Sequence, residues 1–123
     1  MADLTLREYV VAEVKPLLPA GWRFIPNQAT PDKITVVTVV LKHLEITPSP
    51  AAAGALSNEF VLTVLSPLED DVRAENQLDD DVITVVTALR KVRWCSFQSA
   101  RKVRDDKTNR LAWDITVVGV TTP

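Results

Sequence analysis

Few side chains in this sequence could do chemistry. There is one histidine, His43, and one cysteine, Cys95. Nucleophilic catalysis needs a base beside the nucleophile and a third group to orient the base, and a single histidine would have to serve every such role. A zinc site needs three or four good ligands, and these two residues do not make one. Both lie in stretches of strand character, so the expectation is a half-exposed His43 and a Cys95 packed in or lining the sheet, as free cysteines usually are. Gly21, Gly54 and Gly119 stand apart from one another. They do not form a glycine-rich loop that could cradle phosphate.

Charge is the denser signal. Glu69, Asp70, Asp71, Glu75, Asp79, Asp80 and Asp81 crowd into one short stretch. As a metal site they would offer only oxygen, suiting magnesium or calcium. The glycine turn and spacing of an EF-hand loop are missing. A solvated helix face with favourable charge at its N-terminus is the simpler reading. A surface that repels or guides a polyanion is the other. Arg90, Lys91, Arg93, Arg101, Lys102, Arg104, Lys107 and Arg110 make the C-terminal third basic, with Trp94, Phe97 and Trp113 among them. Such a mixture suggests a single-strand-binding surface, but Trp113 alternates with Leu111 and Ile115 and so belongs to the core. An acidic and a basic surface on one small subunit suit head-to-tail packing of copies. No resident metal or organic cofactor and no catalytic activity are expected. A small non-viral binding domain, monomeric or dimeric, or a small enzyme using the carboxylate cluster, is the alternative, and it would need a closed pocket lined by polar groups.

The bulk properties agree with a binding or structural role. The chain has 123 residues and a formal charge of −2, with a sequence pI near 5.3. That length suits one domain, residues 1–123, with a real core. The acidic balance gives no general pull toward nucleic acid. A lone cysteine fits a reducing compartment, and no apolar run has the length of a signal-peptide core or a membrane span. Synthesis and folding in a cytoplasm are expected, with no membrane partner.

The elements that would position these residues follow from periodicity. Thr5 and Glu8 form a capping box, and Leu4 with Tyr9 a hydrophobic staple, at the start of a helix. Leu6, Val10, Val14 and Leu17 give its buried stripe, and Pro16 makes its last turn irregular. Residues 22–25 read as a short extended segment and 26–33 as a polar turn. Residues 34–47 are the longest strand candidate, apolar on both faces in the first half and long enough to project as an arm. Residues 48–57, rich in Pro and Ala, read as a mobile loop. A strand at 58–66 carries Phe60, Leu62 and Val64 on one face. The second helix spans 69–91, with Leu78, Val82, Val85, Leu89 and Val92 at helical spacing. Residues 92–103 and 110–121 form a hairpin. The order α-β-β-α-β-β predicts an α+β fold: an antiparallel sheet of about four to five strands with two helices packed on one face.

In texture and order of elements the chain resembles the tail terminator proteins of long-tailed bacteriophages with non-contractile tails. The resemblance runs through Leu17-Leu18-Pro19-Ala20-Gly21-Trp22-Arg23-Phe24-Ile25-Pro26, the strand and Pro/Ala loop that follow, and Glu59-Phe60-Val61-Leu62-Thr63-Val64-Leu65-Ser66-Pro67. It continues in Leu78-Asp79-Asp80-Asp81-Val82 and Ala112-Trp113-Asp114-Ile115-Thr116-Val117. It covers nearly the whole chain, but rests on no invariant motif and carries no catalytic residues.

The resemblance implies a structural virion protein, made in the bacterial host cytoplasm and placed in the virion tail. Copies would form a homohexameric ring that ends tail-tube polymerisation and presents a surface to the head-completion protein. Its partners would be itself, the major tail tube protein and that connector. DNA would pass through the channel without specific binding. On this reading Asp70, Asp71, Asp79, Asp80 and Asp81 are candidates for the channel lining. Pro48, Pro50, Ala52 and Gly54, with Arg101, Lys102 and Arg104, are candidates for contacts with a neighbouring subunit or the tube. Other head-tail connector or neck proteins share this size and composition.

Overall fold

The computed structural model describes residues 6–27, 33–50, 53–93, 95–105 and 108–121. Helix α1 is Leu6–Val14, continued by a tighter 3-10 turn at Lys15–Leu17. Strands β1 (Arg23–Ile25), β2 (Thr38–Pro48) and β3 (Leu56–Leu65) follow. Helix α2 (Asp71–Leu89) leads to β4 (Cys95–Arg104) and β5 (Leu111–Thr121). The five strands form one sheet in the order β1-β2-β3-β5-β4.

The fold is α+β, but the sheet is mixed and not antiparallel throughout. Strand β1 pairs in parallel with β2, through Arg23 with Thr38 and Ile25 with Val40. The connection between these two strands returns the chain to the end where β1 began, so β2 enters in the same direction. The other three ladders are antiparallel. Strand β5 lies between β3 and β4, so α2 carries the chain across it.

Both helices cover one face. Val10 and Val14 of α1 share a core cluster with Leu78, Val82, Val85 and Leu89 of α2. Val39 and Leu41, Phe60, Leu62 and Val64, and Ile115 and Val117 come up from the sheet to meet them. Each such side chain, fully buried, contributes on the order of 1.5–3 kcal/mol relative to exposure. A smaller cluster of Ile34, Val40, Leu65 and Ala112 occupies the other face, with Ile25 and Val103 against it. The start of β2 is therefore covered on both sides, as its double-faced apolar pattern predicts.

Several boundaries differ from the sequence reading. Pro16 converts the end of the first helix to a 3-10 turn, which changes the angular step and leaves Leu17 exposed. Strand β2 begins at Thr38 because the chain bends at Val36, where the Thr38 hydroxyl donates to the Val36 carbonyl at 2.9 Å. At its other end the sheet claims more than expected. Pro48 pairs with Leu56 and Thr47 with Ser57, and Ser49 N–H donates to the Ala55 carbonyl at 2.9 Å. The loop is thus shorter than 48–57. Thr5 and Leu4 of the expected cap and staple, Trp94, and Asp106 and Lys107 of the hairpin turn lie outside the described residues.

Candidate functional site

Two surfaces collect the residues singled out by sequence. The first is the flank where α2 overlies β4 and β5. Helix α2 starts at Asp70, whose carboxylate accepts from Val72 N–H at 3.0 Å, satisfying one of the free donors at the helix N-terminus. Strand alternation then sorts the three cations of β4. Lys102 and Arg104 point toward the helix, while Arg101, one residue out of phase, points to the opposite face.

Lys102 Nζ lies 2.9 Å from Glu75 Oε2 and 3.2 Å from Asp79 Oδ1. It also sits 5.3 Å from the centre of the Trp113 ring. The Glu75 hydrogen bond, reinforced by Asp79, raises the Lys102 pKa. Arg104 reaches Asp71 at 3.2 Å and donates to the Asn109 carbonyl at 2.8 Å. Arg110 approaches Glu69 at 3.6 Å and donates to the carbonyls of Ser66, Pro67 and Leu68.

These contacts correct the expectation of an acidic and a basic surface on separate faces. Asp71, Glu75 and Asp79 are matched within the subunit by Lys102 and Arg104. All five are substantially exposed, so each pair contributes little to stability. Arg101 alone of the three β4 cations forms no ion pair among the described residues. Asp80 is exposed and likewise has no cation partner among them. Asp81 is half-buried, and its Oδ2 is enclosed without a hydrogen-bond partner. Burial first, then the neighbouring Asp80 charge, pushes the Asp81 carboxyl above the usual carboxylate range.

The second surface is an arm. Beyond the helices β2, β3 and β5 run on together to Pro48, Leu56 and Thr121. Asn58, buried between strands, donates to the Gly119 carbonyl at 3.3 Å and to Thr121 Oγ1 at 3.2 Å. A bulge between His43 and Glu45 inserts Leu44 into β2. Leu44 and Ile46 are each 53% exposed, and Leu56 and Val120 are exposed as well. By register, Ile46 and Leu56 belong to the helix side of the sheet and Val120 to the other side, while Leu44 is the unpaired residue of the bulge. The arm therefore shows apolar side chains on both faces, without cover from the described residues. Glu45 stands directly opposite Glu59 on the side away from the helices.

Sequence reasoning put the loop residues Pro48, Pro50, Ala52 and Gly54 in an interface but missed Leu44, Glu45, Ile46, Leu56, Glu59 and Val120. The structure places Pro48 at the end of β2 and Gly54, with φ 79°, in the turn. Pro50 is exposed beside that turn, and Ala52 lies outside the described residues. The missed residues carried a signal, since apolar alternation persists to the end of β2. Their exposure follows only from the register and from where the helices stop.

Among the described residues no group of three or more His, Cys, Asp and Glu is gathered to hold a metal. His43 stacks on Phe60 at 4.3 Å between ring centres, and its Nε2 is buried without a hydrogen-bond partner among the described residues. Cys95 is buried and free, and burial raises its thiol pKa, which keeps it in the unreactive form. An open cleft of about 200 Å³ lies between the start of α2 and the β4–β5 turn, lined by Glu69, Asp71, Asn109 and Arg110. Its charged groups are already engaged, Glu69 with Arg110 and Asp71 with Arg104. Among the described residues no helix is long and apolar enough to cross a membrane. Comparison with known proteins adds no relative: no protein-family model matches the chain, and no curated protein matches it.

Proposed function

We propose that this chain is a ring-forming structural subunit of a phage tail, ending the tail tube and offering a surface for head joining. The observation that carries the reading is the arm. A rigid helix-backed sheet extends three strands past its own core, with apolar side chains exposed on both faces. Such a segment is made for cover by other subunits, since contiguous exposed apolar surface marks interaction sites. The resemblance of nearly the full sequence to tail terminators supplies the identity of the assembly.

On this reading the channel wall is a weakly acidic surface and not a strongly anionic one. Lys102 and Arg104 neutralise Asp71, Glu75 and Asp79 in place, which leaves Asp80 without a matched cation. A wall of that kind would hold no phosphate backbone by ionic contacts, so DNA would slide past it. The partners proposed are further copies of the chain, the tail tube protein and the head-completion protein, in a virion tail assembled in the host cytoplasm.

Incubation of the protein with purified tail tubes tests the proposal. The expected result is a ring at one end of each tube, seen by electron microscopy, and arrest of further tube growth. A chain that leaves tube growth unaffected and binds instead to the head connector would move it to the neighbouring neck position. A chain that binds neither would remove it from the virion.

A further inference from the structure

The sheet has two open edges. Strand β1 covers β2 only as far as Val40, so from Lys42 to Pro48 the outer edge of β2 has no strand beside it among the described residues. The outer edge of β4, Cys95–Arg104, has no strand beside it among the described residues. Unpaired edges of this kind are templates for another strand.

The two edges match each other in direction. Strand β3 runs opposite to β2, β5 opposite to β3, and β4 opposite to β5. Strand β4 therefore runs opposite to β2. When a second copy is set beside the first in the same orientation, its β4 meets the first copy's β2 in antiparallel fashion. The charges match as well. Glu45 and Glu59 face each other on the side of the sheet away from the helices, with Lys42 one pair along on that side and no ion pair to either carboxylate among the described residues. Arg101 projects from β4 on that same side, across from Asp114 in the register, and is the one β4 cation among Arg101, Lys102 and Arg104 that forms no ion pair among the described residues.

We propose that copies of this chain associate head to tail by sheet extension: the arm edge of β2 pairs with β4 of the next copy, and Arg101 of that copy sits between Glu45 and Glu59. The contact relieves a like-charge pair and satisfies backbone groups on both edges. It also begins to cover Leu44, which lies beside Glu45 on the arm. Because the two edges are different surfaces, the contact is heterologous, and repeated rotation closes a ring or continues as a filament. The bulges at His43/Glu45 and Phe97/Ser99 blunt both edges against indiscriminate pairing and leave charge to select the partner. This deepens the ring reading above and rests on it for closure of the ring.

The test uses Glu45→Arg, Arg101→Glu and the double exchange, followed by analytical ultracentrifugation alone and by ring formation on tail tubes. Each single variant is expected to weaken self-association by at least about tenfold, as like-charge juxtaposition does at interfaces. The double exchange is expected to recover most of that loss, with every variant still folded cooperatively. A second probe mixes a Glu45→Cys copy with an Arg101→Cys copy, both on a Cys95→Ser background. Oxidation is expected to yield a crosslinked dimer. If wild-type rings form while the single variants assemble normally and no crosslink appears, the edge contact is overturned and the ring reading stands. If the chain stays monomeric alone and on tubes, both are overturned.

Discussion

The Lys102 ammonium lies 2.9 Å from the Glu75 carboxylate, which ties the C-terminal part of β4 to the second turn of α2. The same group covers the Trp113 ring. Its partners raise its pKa above the ordinary lysine value of 10.5, so its contribution to stability is complete below that value and is lost as pH rises through the folded-state pKa. Lys102→Met is expected to lower the melting temperature modestly at neutral pH. The gap to wild type should narrow once the solution passes the lysine range. Thermal unfolding of both proteins across that range checks this; a gap that does not depend on pH would assign the effect to packing on Trp113.

Asp81 has the opposite sign. Burial and Asp80 raise its folded pKa above the ordinary value of 3.8, so the ionised carboxylate opposes folding. The opposition is absent below the unfolded value and grows as pH rises through the folded one. Asp81→Asn should therefore be more stable than wild type at neutral pH, with the difference fading in acid. Urea unfolding at the two pH values is the measurement, and a destabilised Asn variant at neutral pH would contradict it.

Leu62 is fully buried between the two helices and the sheet, with 0% exposure, whereas Trp113 is only partly buried beneath Lys102. The alternation on β3 and β5 predicts both as core residues of equal weight. The structure separates them. Leu62→Ala is expected to cost roughly 2–5 kcal/mol, and Trp113→Ala less than Leu62→Ala. Chemical denaturation of the two variants decides the order.

Glu45 and Glu59 stand directly opposite each other on β2 and β3, and like charges so placed disfavour the pairing. Glu59→Gln should stabilise the free chain by about 0.2–1 kcal/mol and make its stability less dependent on salt. Stability measured at low and high ionic strength checks both halves of the statement.

The elements were readable because each announces itself locally. The stripe from Leu78 to Leu89 requires a helix, and Phe60, Leu62 and Val64 require a strand facing it. The arm was readable in length but not in consequence. Nothing local states that β5 inserts between β3 and β4, or that Glu45 faces Glu59, because both are outcomes of long-range pairing. The pairing of Lys102 with Glu75 was hidden for the same reason. These residues are 27 positions apart, and only the packing angle of α2 on β4 and β5 joins them. The parallel strand β1 was visible as an extended segment, while its direction depended on how the following loop returns.

The ladder between β3 and β5 has a further consequence. Strands β2–β3 and β4–β5 are each neighbours in sequence, but the β3–β5 seam joins residues on either side of α2, such as Leu62 with Ile115. Two hairpins can form quickly from local contacts, while the seam must wait for the loop containing the helix to close. Folding rate is therefore governed by this one junction, since non-local pairing slows folding. Until it forms, β3 presents the apolar edge of Phe60, Leu62 and Val64 to any passing chain. Docking of α2 across the unfinished sheet is what shortens that exposure, so substitutions in the Leu78–Leu89 stripe should slow refolding and raise aggregation together.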